Sequence, residues 1–194
     1  HFSIREYRPS DKDVVISLFR DGILEHVYPA FFEAMSHPDQ VGVALSISMA
    51  GYVLGGSSYF LALLFGGAWA GLIYYCCHEI YQGYLSRRLE ADMADIQASY
   101  LEEPRNGLWV AEADVRGQAR VISGLAVTQR ALDFCKERGY THLALSLSSP
   151  QTAAASLSHK LGFLQTACHS NTHANRWFSK LAGIKVARLE KSVS

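Results

Sequence analysis

Two histidines four residues apart, His169 and His173, form the pair in this sequence that most suggests metal chemistry, because that interval on a helix lets both rings reach one zinc ion. They flank Ser170-Asn171-Thr172, a turn-forming run, and no carboxylate or cysteine pattern completes a ligand set. No metal site is expected. The four cysteines (Cys76, Cys77, Cys135, Cys168) contain no C-x-x-C spacing and no paired framework, so neither a zinc ribbon nor a disulfide scaffold follows. Cys76 and Cys77 close a long apolar run, where they either pack as small apolar residues or carry an S-acyl chain. Basic residues cluster no further than Arg87-Arg88, and 18 Lys and Arg balance 18 Asp and Glu. A protein without a basic stripe has no footprint for a phosphate backbone, so nucleic acid is not an expected partner.

Only 19% of the 194 residues are charged, and the apolar surplus is concentrated. Val41 to Cys77 is a run of 37 residues without one charge, holding seven of the 15 glycines. A run this long needs lipid or an unusually large core, since roughly 20 apolar residues span a bilayer as one helix and about 40 as two. The paired glycines Gly55-Gly56 and Gly66-Gly67 permit either close helix contact or a turn. Residues 1–40 and 78–194 flank this insert and are expected to build a water-facing domain. The chain opens on His1 rather than Met, which suggests a trimmed or partial sequence, and no signal peptide is visible.

The elements that would position any site are legible in outline. Phe2 to Arg8 alternates as a strand. Ser10 with Asp13 suggests a capping box for a helix from about Asp11 to His26, with Val14, Leu18, Phe19 and Ile23 at helical spacing. Pro29 and Pro38 bound a connector into the apolar run. After the run, Leu89, Met93, Ile96 and Tyr100 predict an amphipathic helix. Leu108 to Ala113 predicts a strand; Val127 to Cys135 a helix ending at Gly139; Thr141 to Leu147 a strand; Ser149-Pro150 the start of a helix that stops at Gly162; and Phe163 to Cys168 and Ile184 to Leu189 further strands. This order gives an α/β or α+β layout with helices packed on a sheet.

Four stretches carry a family resemblance together: VTQRALDFCKERGYTHLAL (Val127 to Leu145), QTAAASLSHKLGF (Gln151 to Phe163), DMADIQASYL (Asp92 to Leu101) and LWVAEAD. With the apolar insert after the first helix, they resemble the camello-like N-acetyltransferases of the GNAT superfamily, relatives of the membrane-bound cysteine-S-conjugate and aspartate N-acetyltransferases. The resemblance implies a GNAT-like sheet flanked by helices with an inserted membrane hairpin. It also implies acetyl-CoA as co-substrate, a primary amine of a small molecule or of a protein lysine or N-terminus as acceptor, membrane lipid as a partner, and the endoplasmic reticulum as location.

On the family pattern the pyrophosphate loop [QR]-x-x-G-x-[GA] falls on Arg120, Val121, Ile122, Ser123, Gly124, Leu125 and Ala126, with Gly124 at the second glycine and Ile122 at the first. Such a loop works because glycines let backbone N–H groups approach phosphates at the start of a helix. Arg116-Gly117-Gln118-Ala119 is a second partial match. The family tyrosine that protonates the departing thiolate falls on Ser158, with His159 next to it as a replacement acid. Between the strand at 109–113 and the loop, the family has two further strands. Asp114 to Arg120 are too few for them, so the chain is expected to lack a central segment of about thirty residues. Two readings follow: an acetyltransferase, or a catalytically silent membrane-anchored relative with a binding role.

Overall fold

The uncharged run becomes two helices folded back on each other. The computed structural model describes residues 2–115, 118–121, 125–172 and 174–193. Strand β1 (Phe2–Glu6) leads through a 3-10 turn (Pro9–Asp11) into α1 (Lys12–Leu24), then α2 (Val27–Ser36) and the two helices of the hairpin, α3 (Pro38–Leu54) and α4 (Tyr59–Glu90). β2 (Trp109–Val115), β3 (Gln118–Val121), α5 (Leu125–Glu137), β4 (His142–Ser148), α6 (Thr152–Lys160), β5 (Leu164–His169), α7 (Arg176–Ala182) and β6 (Val186–Ser192) follow. This is the mixed α/β layout expected from the sequence.

The hairpin turns where the paired glycines predict it. Gly55 caps α3, and Gly56 and Ser57 both adopt positive φ, 64° and 68°, a backbone that glycine enters without strain. Ser58 then caps α4 by accepting the Leu61 N–H. The two helices approach closely because small residues line their contact. A Cβ on Gly51 would lie 2.6 Å from the Leu61 carbonyl oxygen. Leu45, Met49, Val53, Leu54, Tyr59, Phe60 and Leu63 are all more than 60% exposed, an apolar surface of the kind that marks an interaction with lipid or protein. α4, at 32 residues, is the one helix among the described residues long and apolar enough to cross a membrane. α3, at 17 residues, reaches roughly 25 Å, short of a hydrocarbon core of about 30 Å.

α4 crosses the expected domain boundary at Cys77 without a break. Ile73, Cys76 and Cys77 have no exposed surface and pack with Val27, Ala30 and Ala34 of α2 and Ala182 of α7. The end of the apolar run therefore belongs to the water-facing core, and the two cysteines present no surface to an acyl chain. At the base of the hairpin the Trp69 Nε1–H donates to Gln40 Oε1 (3.1 Å), and Gln40 Nε2 donates to the Leu181 carbonyl (2.9 Å). These bonds tie both hairpin helices to α7.

Several local readings are corrected. Most of the connector expected between Pro29 and Pro38 is helical, within α2; Pro29 falls in its first turn, where a missing N–H costs nothing. Leu89, Met93, Ile96 and Tyr100 do share a buried face, packed with Tyr7 and Val110, but α4 ends at Glu90 and residues 97–102 form a π-type turn. Burial rather than helicity explains their spacing. The capping carboxylate is Asp11, not Asp13: its Oδ2 accepts the Arg8 N–H (2.9 Å). Gly139 and Gly162 end their helices at φ of 74° and 83°, as expected.

In place of one continuous sheet, the described residues form two of three strands, ordered β1-β2-β3 and β4-β6-β5. β1 pairs antiparallel with β2, Phe2 opposite Ala113 and Glu6 opposite Trp109. Residues 114–120, expected to be too few for two further strands, extend β2 to Val115 and start one short strand, β3, with Val115 opposite Gln118. The second sheet is all antiparallel, with Leu145 opposite Leu189 at its centre and an irregularity between Gln165 and Ala167. Its buried face holds Phe163, Leu189 and Val193 against Leu132 and Cys135 of α5.

Because β1 and β2 flank the insert in sequence and pair in space, both ends of the hairpin emerge on one side of any membrane it enters. Tags at His1 and Ser194 of membrane-bound protein are expected to be cut, or protected, together by external protease. Opposite protection of the two ends would separate β1 from its sheet.

One ionic cluster closes the first sheet. The Arg5 guanidinium donates to both Asp11 oxygens (2.7 and 3.0 Å) and to both Glu112 oxygens (2.7 and 3.1 Å). This bidentate geometry holds the Asp11 and Glu112 carboxyls below their ordinary values of 3.8 and 4.5, chiefly through the hydrogen bonds from Arg5. Depressed carboxyl values contribute stability that is present above the ordinary values and lost as pH falls through the lower folded ones. Arg5→Ala is therefore expected to lower Tm by a few degrees at pH 7, measured by thermal melting. The deficit should shrink as the pH is brought below about 4.

Candidate active site

α4 presents one polar face beyond its apolar arm. Ile80, Tyr81, Tyr84, Arg87 and Arg88 recur at intervals of three and four residues, which stacks their side chains along one stripe. That stripe walls a cavity of about 350 Å³. Ile23 and His26 contribute from the end of α1, Ser146 to Ser148 from the end of β4, and Gln151 from the turn into α6. His169 ends β5, Asn171 and Thr172 follow it, and Ile184 and Val186 complete the lining.

The floor is ordered by a short relay. Gln151 Oε1 accepts both the Ser148 N–H (2.8 Å) and the Ser148 hydroxyl (3.1 Å). With its own proton so committed, Ser148 Oγ accepts from the buried Tyr81 hydroxyl at 2.9 Å. The His26 ring stacks on Tyr81, with centroids 6.2 Å apart, and its Nδ1 lies 2.7 Å from the Gly22 carbonyl oxygen. A carbonyl only accepts, so Nδ1 carries the proton and the neutral ring keeps its lone pair on Nε2.

The mouth is cationic. Arg88 pairs with Asp92 and lies over the Tyr84 ring, 5.6 Å from its centroid. Arg87 Nε donates to the Gly83 carbonyl (3.3 Å) and has no ion pair among the described residues. Among the described residues no Asp or Glu lines the cavity. Two guanidinium groups at the edge of a half-enclosed space favour an anionic group in whatever binds there.

Of the described residues picked out from sequence, His169 lines the cavity and the others do not. Ser158 is buried in α6, and its Oγ donates to the Ala154 carbonyl (2.8 Å), away from the cavity lining. His159 is exposed in the last turn of α6. Arg120 belongs to β3, opposite Ala113, and Leu125 and Ala126 open α5. Ser123 and Gly124 lie outside the described residues, as does His173. His169 lines the cavity, but the described residues contain no group of three that could hold a metal ion. The cavity was missed because its residues come from five separate stretches. The signal for one wall, the 80-81-84-87-88 spacing, was present in the sequence.

Comparison with known proteins supplies the kinship. The chain is 27% identical to a probable N-acetyltransferase camello of Xenopus tropicalis, over 83% of this chain and 85% of that one. It is 28% identical to N-acetyltransferase 8B of Rattus norvegicus, over 98% of this chain and 97% of that one. The chain is similar to the camello-like N-acetyltransferases over most of its length. Human N-acetylaspartate synthetase matches at 25% identity over 82% of this chain and 61% of its own length. The rat alignment runs over 220 positions against 194 residues here, so that relative carries residues this chain lacks. No family model matches the chain. Among solved structures, a GNAT-family acetyltransferase from Streptococcus pneumoniae covers the whole of both chains at 13% identity and a TM-score of 0.48, too loose a likeness for comparing sites.

With its hydroxyl committed to the Ala154 carbonyl, Ser158 is expected to tolerate Ser158→Ala. Acetyl transfer from acetyl-CoA should stay within about a factor of two, whereas losing a general acid costs about 10²–10⁴.

Proposed function

We propose that this protein transfers the acetyl group of acetyl-CoA to the primary amine of a small acceptor that also bears an anionic group. The observation that carries this reading is the cavity at the end of β4, with Arg87 and Arg88 at its edge and no carboxylate in its lining. Its size suits a small molecule better than a protein lysine or N-terminus, since pockets that enclose small ligands begin at about 300 Å³.

Acetyl-CoA would bind through the start of α5. This 13-residue helix begins at Leu125, directly after Gly124, and its start supplies a positive dipole end for the pyrophosphate. Arg120 and Ser123 are the flanking groups of this chain that would add to that cradle. The family resemblance supports the same placement, and it extends to a membrane of the endoplasmic reticulum as the location. The exposed apolar faces of α3 and α4 support the hairpin as the anchor.

The chemistry asks three things of the chain's own residues: hold the acceptor's anion, free the amine of its proton, and exclude bulk water. Arg87 is suited to the first, because its guanidinium has no carboxylate to release before binding one. The experiment is an acetylation assay with primary amines that differ only in a carboxylate or its uncharged amide. The parent is expected to prefer the carboxylate. Arg87→Gln should raise KM for the carboxylate amine about 10–100-fold, corresponding to one charged hydrogen-bonding contact, and leave the amide unchanged. Equal use of both amines by the parent would sink the anionic acceptor.

A further inference from the structure

We propose that His26 is the general base that takes the proton from the acceptor's ammonium group, an assignment that rests on the acetyltransferase reading above. A primary amine with an ordinary value near 10.4 is protonated at neutral pH and has no lone pair for attack. Some group in the cavity must therefore accept a proton before the new bond can form.

The lining narrows the choice. Arginine cannot be deprotonated in a protein, which removes Arg87 and Arg88. Tyr81 donates its hydroxyl proton to Ser148 and is held there by the Gln151 relay. Among the described residues no Asp or Glu lines the space. His169 ends an exposed strand, and no hydrogen bond among the described residues orients its ring. Among the described lining residues, His26 is the one oriented for the role.

Its orientation comes from the end of α1. In a continuing helix the Gly22 carbonyl would receive the backbone N–H of residue 26. The chain instead turns, the His26 N–H bonds to the Ile23 carbonyl at 3.3 Å, and the imidazole Nδ1–H takes the vacated Gly22 oxygen at 2.7 Å. That bond fixes the tautomer, the stacked Tyr81 ring fixes the plane, and the Nε2 lone pair remains. The charged and titratable groups around it are Tyr81, Tyr84, Arg87 and Arg88 of α4, His169 after β5, the adjacent Glu25, and Glu33 of α2, whose field reaches Tyr81.

The step balances without a further reactant. The Nε2 lone pair takes one proton from the ammonium, and the N–H bonding pair stays on the amine nitrogen. That pair forms the bond to the acetyl carbon. As the carbon–sulfur bond breaks, its electrons leave with sulfur, which takes the nitrogen's second proton. His26 then releases its proton to solvent.

The test uses the full chain, acetyl-CoA and a carboxylate-bearing primary amine, with kcat followed from pH 6 to 10. His26→Asn keeps a donor for the Gly22 carbonyl but has no Nε2 lone pair. It is expected to lower kcat about 10²–10⁴-fold at neutral pH, with the deficit narrowing toward pH 10 as the amine loses its own proton. Acetyl-CoA affinity by calorimetry should be unchanged. His26→Ala should recover activity on addition of free imidazole, which a purely structural role would not allow. If His26→Asn matches the parent at every pH, or shows a deficit that neither narrows at high pH nor responds to imidazole in His26→Ala, His26 is not the base and the acetyltransferase reading stands. A parent chain that acetylates no amine overturns both.

Discussion

The backbone of α4 cannot be interrupted without separating the parts of this protein. An α-helix in an apolar setting must satisfy each N–H and C=O within itself, and Tyr59–Glu90 does so over 32 residues with no proline in the run. Its first part is an arm of the apolar hairpin, its middle is packed against α2 and α7, and its last turns wall the cavity. At about 1.5 Å per residue, Arg87 lies roughly 20 Å along the axis from Ile73. A rigid rod thus fixes how far the polar site stands from the lipid-compatible surface.

The same rod explains why the cavity is cationic at its edge. Arg87 and Arg88 occupy the last turn of α4, where a positive charge complements the carbonyl end of the helix dipole. Arg88 is partly neutralised by Asp92, leaving Arg87 as the freer charge. The inner wall depends on neutral hydrogen bonds, Tyr81 to Ser148 and Ser148 to Gln151, which tie α4 to the end of β4. Each donor in that chain has a defined acceptor, so the buried phenol carries no unpaired polar group.

The first sheet has a different dependence. β1 is separated from β2 by more than a hundred residues, and closing such a loop is opposed by chain entropy. The antiparallel ladder and the Arg5 cluster with Asp11 and Glu112 offset that cost, anchoring strand, first helix turn and β2 at once. This pairing converts an apolar run of ambiguous topology into a hairpin with both ends on one side.

Sequence alone determined the apolar run, two glycine pairs at which it could turn, the helix stops at Gly139 and Gly162, and the order of most strands and helices. These are local matters of side-chain period and of backbone that favours glycine. It also carried the family resemblance. Its assignments on 122–124 fall outside the described residues, and Ser158 proved to be a buried residue bonded within its own helix. What only the tertiary structure decided is long-range: that Cys76 and Cys77 are core, that two sheets replace one, and that His26, Tyr81, Arg87, Ser148 and Gln151 share a cavity. No periodicity records which faces of α1, α4 and β4 meet, because that is set by packing among segments more than fifty residues apart.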